Sequence, residues 1–210
     1  TAYSPQGGGG GIICTWLSSP TIEHTLIKDN ESIGTDYYGG GGGIYCYYYS
    51  SPQIRDVEIR NNTANKGGGI YCNYYSSNPT LDHVLISDNV TISYGAAIYC
   101  DNSSPTLNHV TLANNFTGHP TIQSAIFGYN GCVFNITNSI LWNQYVEEIY
   151  LDAAGQPNTV NITYTDIEGY NDQIIFTDNT SVNLLEGTFD ENPLFTNIFI
   201  EDYSLQGLSP

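Results

Sequence analysis

The sequence Gly41-Gly42-Gly43-Ile44-Tyr45-Cys46 decides the fold of this chain, because it returns at nearly constant intervals. It recurs at residues 67–72 and, with alanine in place of two glycines, at residues 95–100. Shorter forms occur at residues 9–12 and 124–126, and consecutive copies of the repeated isoleucine lie 26 to 32 residues apart. Self-similarity at a fixed period predicts a chain of stacked, equivalent structural units.

Each unit contains the same succession of parts. Ile-Tyr-Cys leads into Ser-Ser-Pro, then into two short apolar clusters, and an asparagine closes the unit at Asn30, Asn62, Asn89 and Asn115. Apolar runs of two to four residues between Gly, Pro, Asn and Ser indicate very short strands separated by bends. We therefore predict an all-β parallel β-helix of about six to seven coils, each of about 26 to 32 residues, in which equivalent positions stack about 4.8 Å apart. The closing asparagines should form a hydrogen-bonded ladder.

This pattern resembles the right-handed β-helix repeats of the pectin-lyase-like superfamily, in the form found in large secreted bacterial surface proteins. Residues 191–195 (Glu-Asn-Pro-Leu-Phe), 202–206 (Asp-Tyr-Ser-Leu-Gln) and 209–210 (Ser-Pro) resemble a motif that closes many such domains. The resemblance covers nearly the whole chain and implies the fold more specifically than the activity. Lyases, hydrolases, adhesins and passive stalks all share this architecture.

We expect a single β-helix domain over residues 1–210. Regular repeats occupy residues 7–141, and residues 142–210 form looser C-terminal coils and the closing segment.

The composition excludes several classes of protein. The 210 residues include 21 Asp and Glu against 4 Lys and Arg, for a net charge of −17. Binding to nucleic acid requires clustered basic residues, so we expect no such partner. No apolar run approaches the ~20 residues of a membrane-spanning helix. The scarcity of Lys and Arg favours a secreted protein, located outside the cell or at the cell surface.

Four cysteines occupy one column, two residues after the repeated isoleucine, and should therefore point inward: Cys14, Cys46, Cys72 and Cys100. Stacked parallel Cβ vectors do not favour disulfide geometry, so we interpret the column as a ladder of buried free thiols. One or two strained disulfides are the alternative.

Aromatic residues follow or adjoin this column in successive coils. We predict that they form one contiguous ligand-binding or partner-binding surface: Trp16, Tyr45, Tyr47, Tyr48, Tyr49, Tyr71, Tyr74, Tyr75 and Tyr99. Tyr45, Tyr71 and Tyr99 should alternate outward within their strands. Such a surface suits sugar rings or a protein partner, and a ladder of tyrosines that only fills surface is the alternative.

A second column contains polar residues at a bend: His24, Asp56, His83, His109 and Asn138. The metal-ligand candidates within it are Asp56, His83 and His109, which would suit a transition metal. Alternatively, these side chains only satisfy the backbone of the bend. So acidic a chain also suits Ca²⁺, which we would place near Asp166, Glu168 and Asp172 or near Asp190 and Glu191. No other cofactor is expected.

No catalytic group of residues can be assembled from the sequence. The leading hypothesis is a non-enzymatic, secreted structural or adhesive segment, such as a stalk, surface or filament subunit. It would associate with itself or with other surface proteins through its coil ends or its Tyr-rich face. The alternatives are a carbohydrate-binding module and a polysaccharide lyase-like enzyme, which would depend on Arg55 and Arg60. The paired aspartates and the Gly-His-Gly motif of the resembling polygalacturonases are absent from the sequence.

Overall fold

A computed structural model describes residues 9–34, 40–177 and 179–207. Residue 7, where we place the start of the regular repeats, and the terminal Ser-Pro at residues 209–210 lie outside the described residues. The strands are numbered β1 to β22 in chain order, and nearly all belong to three parallel sheets that run along one solenoid. The prediction of an all-β parallel β-helix is confirmed.

The first sheet contains, in order, β1 (Ile12–Thr15), β4 (Ile44–Tyr47), β7 (Ile70–Asn73), β10 (Ile98–Asp101), β13 (Ser124–Tyr129), β16 (Glu147–Asp152) and β19 (Ile174–Phe176). The second contains β2 (Thr21–Lys28), β5 (Gln53–Arg60), β8 (Thr80–Ser87), β11 (Thr106–Ala113), β14 (Val133–Thr137), β17 (Thr159–Thr163) and β20 (Ser181–Leu184). In addition, β15 (Ile140–Trp142) pairs with β11, and β18 (Asp166–Ile167) pairs with β15. The third contains β3 (Glu31–Ser32), β6 (Thr63–Lys66), β9 (Val90–Tyr94) and β12 (Phe116–Thr117).

The solenoid has about five regular turns, so the predicted six to seven coils are only roughly right. The first sheet and the main path of the second each continue through seven strands, but the third sheet ends after four. The loss of the third strand explains why the repeat loosens beyond residue 142.

The core is a set of columns in register. The repeated isoleucines pair from Ile12 through Ile174, and Cys14, Cys46, Cys72 and Cys100 pair in the same way two residues later. All four cysteines are buried and free. Because each coil can bury its apolar residues only against its neighbours, the stacked columns form one continuous core.

The first glycine of the repeat is required by the backbone. Gly67 has φ +60°, and a Cβ there would lie 2.4 Å from the carbonyl oxygen of Ile70. Gly41 and Gly95 repeat this conformation, with φ of +67° and +65°. A residue with a side chain is strained in this region, which explains why glycine recurs at this position.

The asparagine ladder is present inside the solenoid. Nδ2 of Asn62 donates to Oδ1 of Asn89 at 3.0 Å, and Nδ2 of Asn89 donates to Oδ1 of Asn115 at 3.0 Å. The next step joins Asn115 to Asn143 at 2.9 Å. The same amide groups also donate to backbone carbonyls, as Asn89 does to Ile59 at 2.9 Å. The ladder therefore satisfies buried polar groups at a bend, as predicted.

The closing segment folds back along the solenoid. Strands β21 (Phe195–Asn197) and β22 (Asp202–Leu205) form an antiparallel hairpin around a short 3-10 helix, Ile198–Ile200. The hydroxyl of Tyr203 donates to Oδ1 of Asp88 at 2.7 Å, and Glu201 accepts hydrogen bonds from Arg60 and Asn61. These contacts join residues more than 100 positions apart in the chain.

Helical structure is limited to that turn and to a second 3-10 helix, Tyr170–Gln173, within the described ranges. No helix among these residues has the length and apolar character needed to cross a membrane.

Candidate functional site

The bends after β1, β4 and β7 carry an exposed aromatic cluster, which we call the aromatic turn: Trp16, Tyr48, Tyr49, Tyr74 and Tyr75. The ring centroids of Trp16 and Tyr48 lie 4.3 Å apart, and the stacked rings of Tyr49 and Tyr75 lie 5.4 Å apart. Trp16 is 66% exposed and Tyr75 is 48% exposed. Three successive coils therefore present a continuous row of rings to solvent. This is the part of the predicted aromatic surface that the structure places outside.

The backbone of the aromatic turn is left-handed at bulky residues. Tyr48 and Tyr49 have φ of 56° and 58°, and Tyr74 and Tyr75 have φ of 63° and 57°. Left-handed conformations are uncommon for large side chains and cost on the order of 1 kcal/mol each. Asparagine, which adopts this conformation readily, stands at the same bend in the next two coils as Asn102 and Asn130. Backbone geometry alone therefore does not explain the tyrosines.

Tyr45, Tyr71 and Tyr99 are not part of the exposed surface, contrary to the prediction. They do point away from the cysteine column, but they are only 7%, 5% and 4% exposed. Together with Phe127 they form a second apolar cluster on the outer face of the first sheet. Tyr47, also expected at the surface, is half-buried against this cluster. Partly buried side chains such as Tyr94, Tyr129 and Tyr150 pack against the column, so an outward position in the strand does not mean contact with solvent.

A groove of about 430 Å³ lies beside this buried column and meets the aromatic turn at Tyr74. Its lining is Lys66, Tyr71, Asn73, Tyr74, Tyr94, Tyr99, Asp101, Ile122, Phe127, Tyr129 and Asp152. Nζ of Lys66 lies 5.3 Å from the ring centroid of Tyr99. Burial raises the pKa of Asp101, while the charge of Lys66 acts in the opposite direction. The groove thus combines aromatic walls with a few polar groups, the usual composition of a small-molecule or glycan site.

The sequence did not predict the contribution of Tyr94, Asp101 and Phe127 to this groove. Phe127 could have been placed by register, because it pairs with Tyr99 in the neighbouring coil. Tyr94 lies on β9 of the third sheet, and its ring reaches that of Phe127 at 4.7 Å. Nothing in the repeat indicates that approach, because the two residues belong to different sheets.

The polar column at the second bend is explained largely by its backbone. His24, Asp56, His83, His109 and Asn138 have φ between 50° and 55°. His, Asp and Asn are the residues with side chains that adopt left-handed conformations most often. The left-handed backbone therefore accounts for the choice of His, Asp and Asn at these positions.

The three metal-ligand candidates do not form one group. Asp56 lies beside His24, with Nδ1 of His24 at 3.9 Å from a carboxylate oxygen of Asp56. The carboxylate that faces His83 and His109 is instead Asp82, one residue before the column. Within the described part of the chain, Asp82, His83 and His109 are the residues whose ligand atoms converge in a group of three or more.

Acidic residues meet near the C-terminal coils, where we expected Ca²⁺. The backbone N–H of Glu191 donates to Oδ1 of Asp166 at 3.0 Å. Burial raises the pKa of Asp166 to about 6 and also raises that of Glu168, which lies near the charge of Asp190. Asp172 lies in the 3-10 helix Tyr170–Gln173. Ca²⁺ at this cluster stays a prediction.

The two arginines required by the lyase hypothesis lie on the second sheet, away from the groove. Nη2 of Arg55 lies 3.5 Å from a carboxylate oxygen of Glu23, and Arg60 is bound by Glu58 and Glu201. Both are therefore engaged in ion pairs on a different face of the solenoid from the groove.

Comparison with known proteins gives one family. Searches of curated proteins and of solved structures found no match to this chain. The model of the family described as the right handed beta helix region matches residues 4–115 and 32–180, which together span most of the sequence. The chain therefore belongs to the right-handed beta helix family.

Proposed function

We propose that this chain is a non-enzymatic, extracellular adhesive segment of a β-helix and that its aromatic turn binds a neutral carbohydrate chain. The observation that carries the proposal is the presence of tyrosines at left-handed positions of the turn. Asn102 and Asn130 occupy the same bend in the next coils without that backbone cost. Side chains kept against a conformational cost are typical of functional surfaces.

Ring geometry supports a carbohydrate as the partner. Trp16, Tyr49 and Tyr75 are all strongly exposed, and the rings of Tyr49 and Tyr75 lie 5.4 Å apart in adjacent coils. Flat aromatic faces suit the apolar faces of sugar rings, and the tyrosine hydroxyls can bond to sugar hydroxyls. The groove continues from Tyr74 and adds Asn73, Lys66 and Asp101 as polar partners.

The charge distribution favours a neutral glycan over an acidic one. The chain carries a net charge of −17, and Lys66 is the basic residue of the groove. An acidic polysaccharide would be repelled by this field unless a cation bridged the two. The positions of Arg55 and Arg60 in ion pairs on another face count against a lyase. The scarcity of basic residues and the resemblance to surface proteins support an extracellular location.

Affinity electrophoresis in gels containing galactomannan, xyloglucan or polygalacturonate tests the proposal. We expect one of the two neutral polysaccharides to retard the chain and polygalacturonate to leave it unretarded. The double variant Tyr49→Asn with Tyr75→Asn keeps residues that tolerate the left-handed backbone. Its affinity should fall about tenfold or more, the combined effect of two lost ring contacts.

The matched control is Tyr164→Asn, another half-exposed tyrosine with a left-handed backbone, φ +47°, outside the aromatic turn. This variant should bind as the parent does. An unretarded parent chain, or equal losses in both variants, would contradict carbohydrate binding by the aromatic turn. Light scattering on the same samples shows whether the double variant instead loses an association between copies of the chain.

A further inference from the structure

The second bend places two neighbouring side chains on the same face of the solenoid. In β8, Leu81 and Val84 are buried, whereas the residues between them, Asp82 and His83, face outward. The left-handed backbone of His83, φ +55°, breaks the strict alternation of a strand and permits this arrangement. His109 has the equivalent position one coil further on, with φ +52°.

Stacking then brings the imidazoles together over one carboxylate. The rings of His83 and His109 are stacked with centroids 4.5 Å apart and planes 16° apart. Nδ1 of His83 lies 3.2 Å from Oδ1 of Asp82, and Nδ1 of His109 lies 3.4 Å from the same atom. All three ligand atoms lie within 4.8 Å of one another.

The two nitrogen–oxygen separations, 3.2 and 3.4 Å, match the edges of a metal coordination tetrahedron. Zinc–nitrogen and zinc–oxygen bonds of about 2.0 to 2.2 Å place neighbouring ligand atoms about 3.3 to 3.5 Å apart. The left-handed backbone explains why His occupies positions 83 and 109, but Asp82 does not have this conformation, so the backbone does not explain why aspartate stands there. The convergence of both Nδ1 atoms on Asp82 is therefore the feature that a simple bend does not explain.

We propose that Asp82, His83 and His109 bind a divalent transition-metal ion, with Zn²⁺ or Co²⁺ as the fitting class. Each neutral imidazole would turn out of the stacked arrangement so that the in-plane lone pair of Nδ1 points at the ion, and would carry its proton on Nε2. All three side chains are partly exposed, so water can complete the coordination shell. The ion would join two successive coils of the second sheet, a role independent of the proposed carbohydrate binding.

The surroundings support this assignment. Nδ2 of Asn108 donates to Oδ1 of Asp82 at 2.8 Å and holds the carboxylate in place. Arg55 pairs with Asp82 in the register of the second sheet, but its guanidinium group forms an ion pair with Glu23 and not with Asp82. Ligand carboxylates are commonly oriented by such hydrogen bonds, and their loss lowers metal affinity about 10- to 100-fold.

Titration of the chelator-treated full chain with Co²⁺, followed by visible absorption, tests the proposal. We expect saturation at one equivalent, no thiolate charge-transfer band, because the cysteines are buried, and displacement by Zn²⁺. His83→Asn and His109→Asn keep residues suited to the left-handed backbone, and each should lower the affinity at least 100-fold. His24→Asn and Asp56→Asn change the neighbouring pair of the same column and should bind as the parent does.

Two results overturn the proposal. One is a parent chain without saturable Co²⁺ binding. The other is equal binding by the parent and by the His83 and His109 variants, which would mean that the ion is held by the acidic surface in general. Circular dichroism of each variant, with an unchanged unfolding temperature in chelator, shows that lost binding does not reflect lost folding.

Discussion

Glu148 ends the buried asparagine ladder by accepting both donors of Asn143. The backbone N–H of Asn143 lies 2.5 Å from Oε1 of Glu148, and its Nδ2 lies 2.7 Å from Oε2. Glu148 is fully buried at this point, in the coil where the third sheet has already ended. Each oxygen of the Glu148 carboxyl group accepts one of these bonds, whereas an asparagine of the ladder such as Asn89 accepts both on its single Oδ1. The ladder thus ends without an unpaired donor.

This relationship predicts a pH dependence of stability. Burial raises the pKa of Glu148 to about 8, although the bonds from Asn143 act in the opposite direction. A carboxyl group with a raised pKa in the folded state stabilises the fold below its ordinary value of 4.5 and loses that effect as pH rises through about 8. We expect the free energy of unfolding to fall by up to about 4 kcal/mol between about pH 5 and about pH 8.

Glu148→Gln is the variant that isolates this effect. Urea denaturation across the same pH range should show a weaker dependence of the unfolding free energy on pH, because the titration of Glu148 has been removed. Some dependence should remain, because Asp166, with a pKa of about 6, and the repulsion among the other carboxylates are unchanged. A slope equal to that of the parent would mean that Glu148 does not titrate in this range.

Asn89→Ala should destabilise the chain by about 3 kcal/mol, because it leaves buried partners without hydrogen bonds. Oδ1 of Asn89 accepts from the backbone N–H and the side chain of Asn62, and its Nδ2 donates to Ile59. The control is Asn183→Ala, an exposed residue that donates one bond of 2.8 Å to Asn161. Its stability should change by no more than about 0.5 kcal/mol. Comparable losses in the two variants, measured by urea denaturation, would contradict the structural importance of the ladder.

The five cysteines should resist alkylation in the folded state. Burial raises the pKa of Cys132 to about 12 and raises that of Cys100 as well, so little reactive thiolate forms near neutral pH. Iodoacetamide followed by intact-mass spectrometry should add nothing to the native chain and five carbamidomethyl groups to the denatured chain. Denatured chains that take up fewer than five groups until a reductant is added would reveal disulfides.

Gly67→Ala should cost about 2 kcal/mol or more. The substitution combines a left-handed backbone with a Cβ placed 2.4 Å from the carbonyl oxygen of Ile70. Gly118→Ala is the matched control, because its Cβ would meet no atom closer than the carbonyl oxygen of Thr91 at 3.7 Å. Thermal unfolding monitored by circular dichroism should show a clear loss for Gly67→Ala and almost none for the control. The same unfolding temperature in both would mean that the first glycine of the repeat is not required by its backbone.

The positions that repeat were predictable, because each coil contacts its neighbours through equivalent residues. Cys46 pairs with Cys72, and His83 stacks on His109, as the spacing of the sequence requires. The sequence pointed to Asp56 as the third member of the proposed metal site because Asp56 belongs to the same column as the two histidines, whereas Asp82 does not. The spacing of the sequence identifies which residues stack in a column. It does not indicate that the left-handed backbone of His83 places the preceding residue, Asp82, on the same face of the sheet.

The burial of Tyr45, Tyr71 and Tyr99 could not be predicted either. Alternation along a strand correctly directs these rings away from the core. Whether the outer face is exposed to solvent depends on side chains from another sheet, such as Tyr94, whose ring packs near that of Tyr99. The contacts of the C-terminal hairpin with Arg60 and Asp88 could not be predicted for the same reason, because they do not recur at the spacing of the repeat.

The sequence by itself determined the coil, its length and the columns inside it, because these arise from contacts between residues at a fixed separation along the chain. Only the tertiary structure decided which outward residues are exposed, which carboxylate faces the two imidazoles, and where Glu148 ends the ladder. These features depend on contacts between different sheets and on segments that leave the repeat, and such contacts have no signature in the spacing of residues.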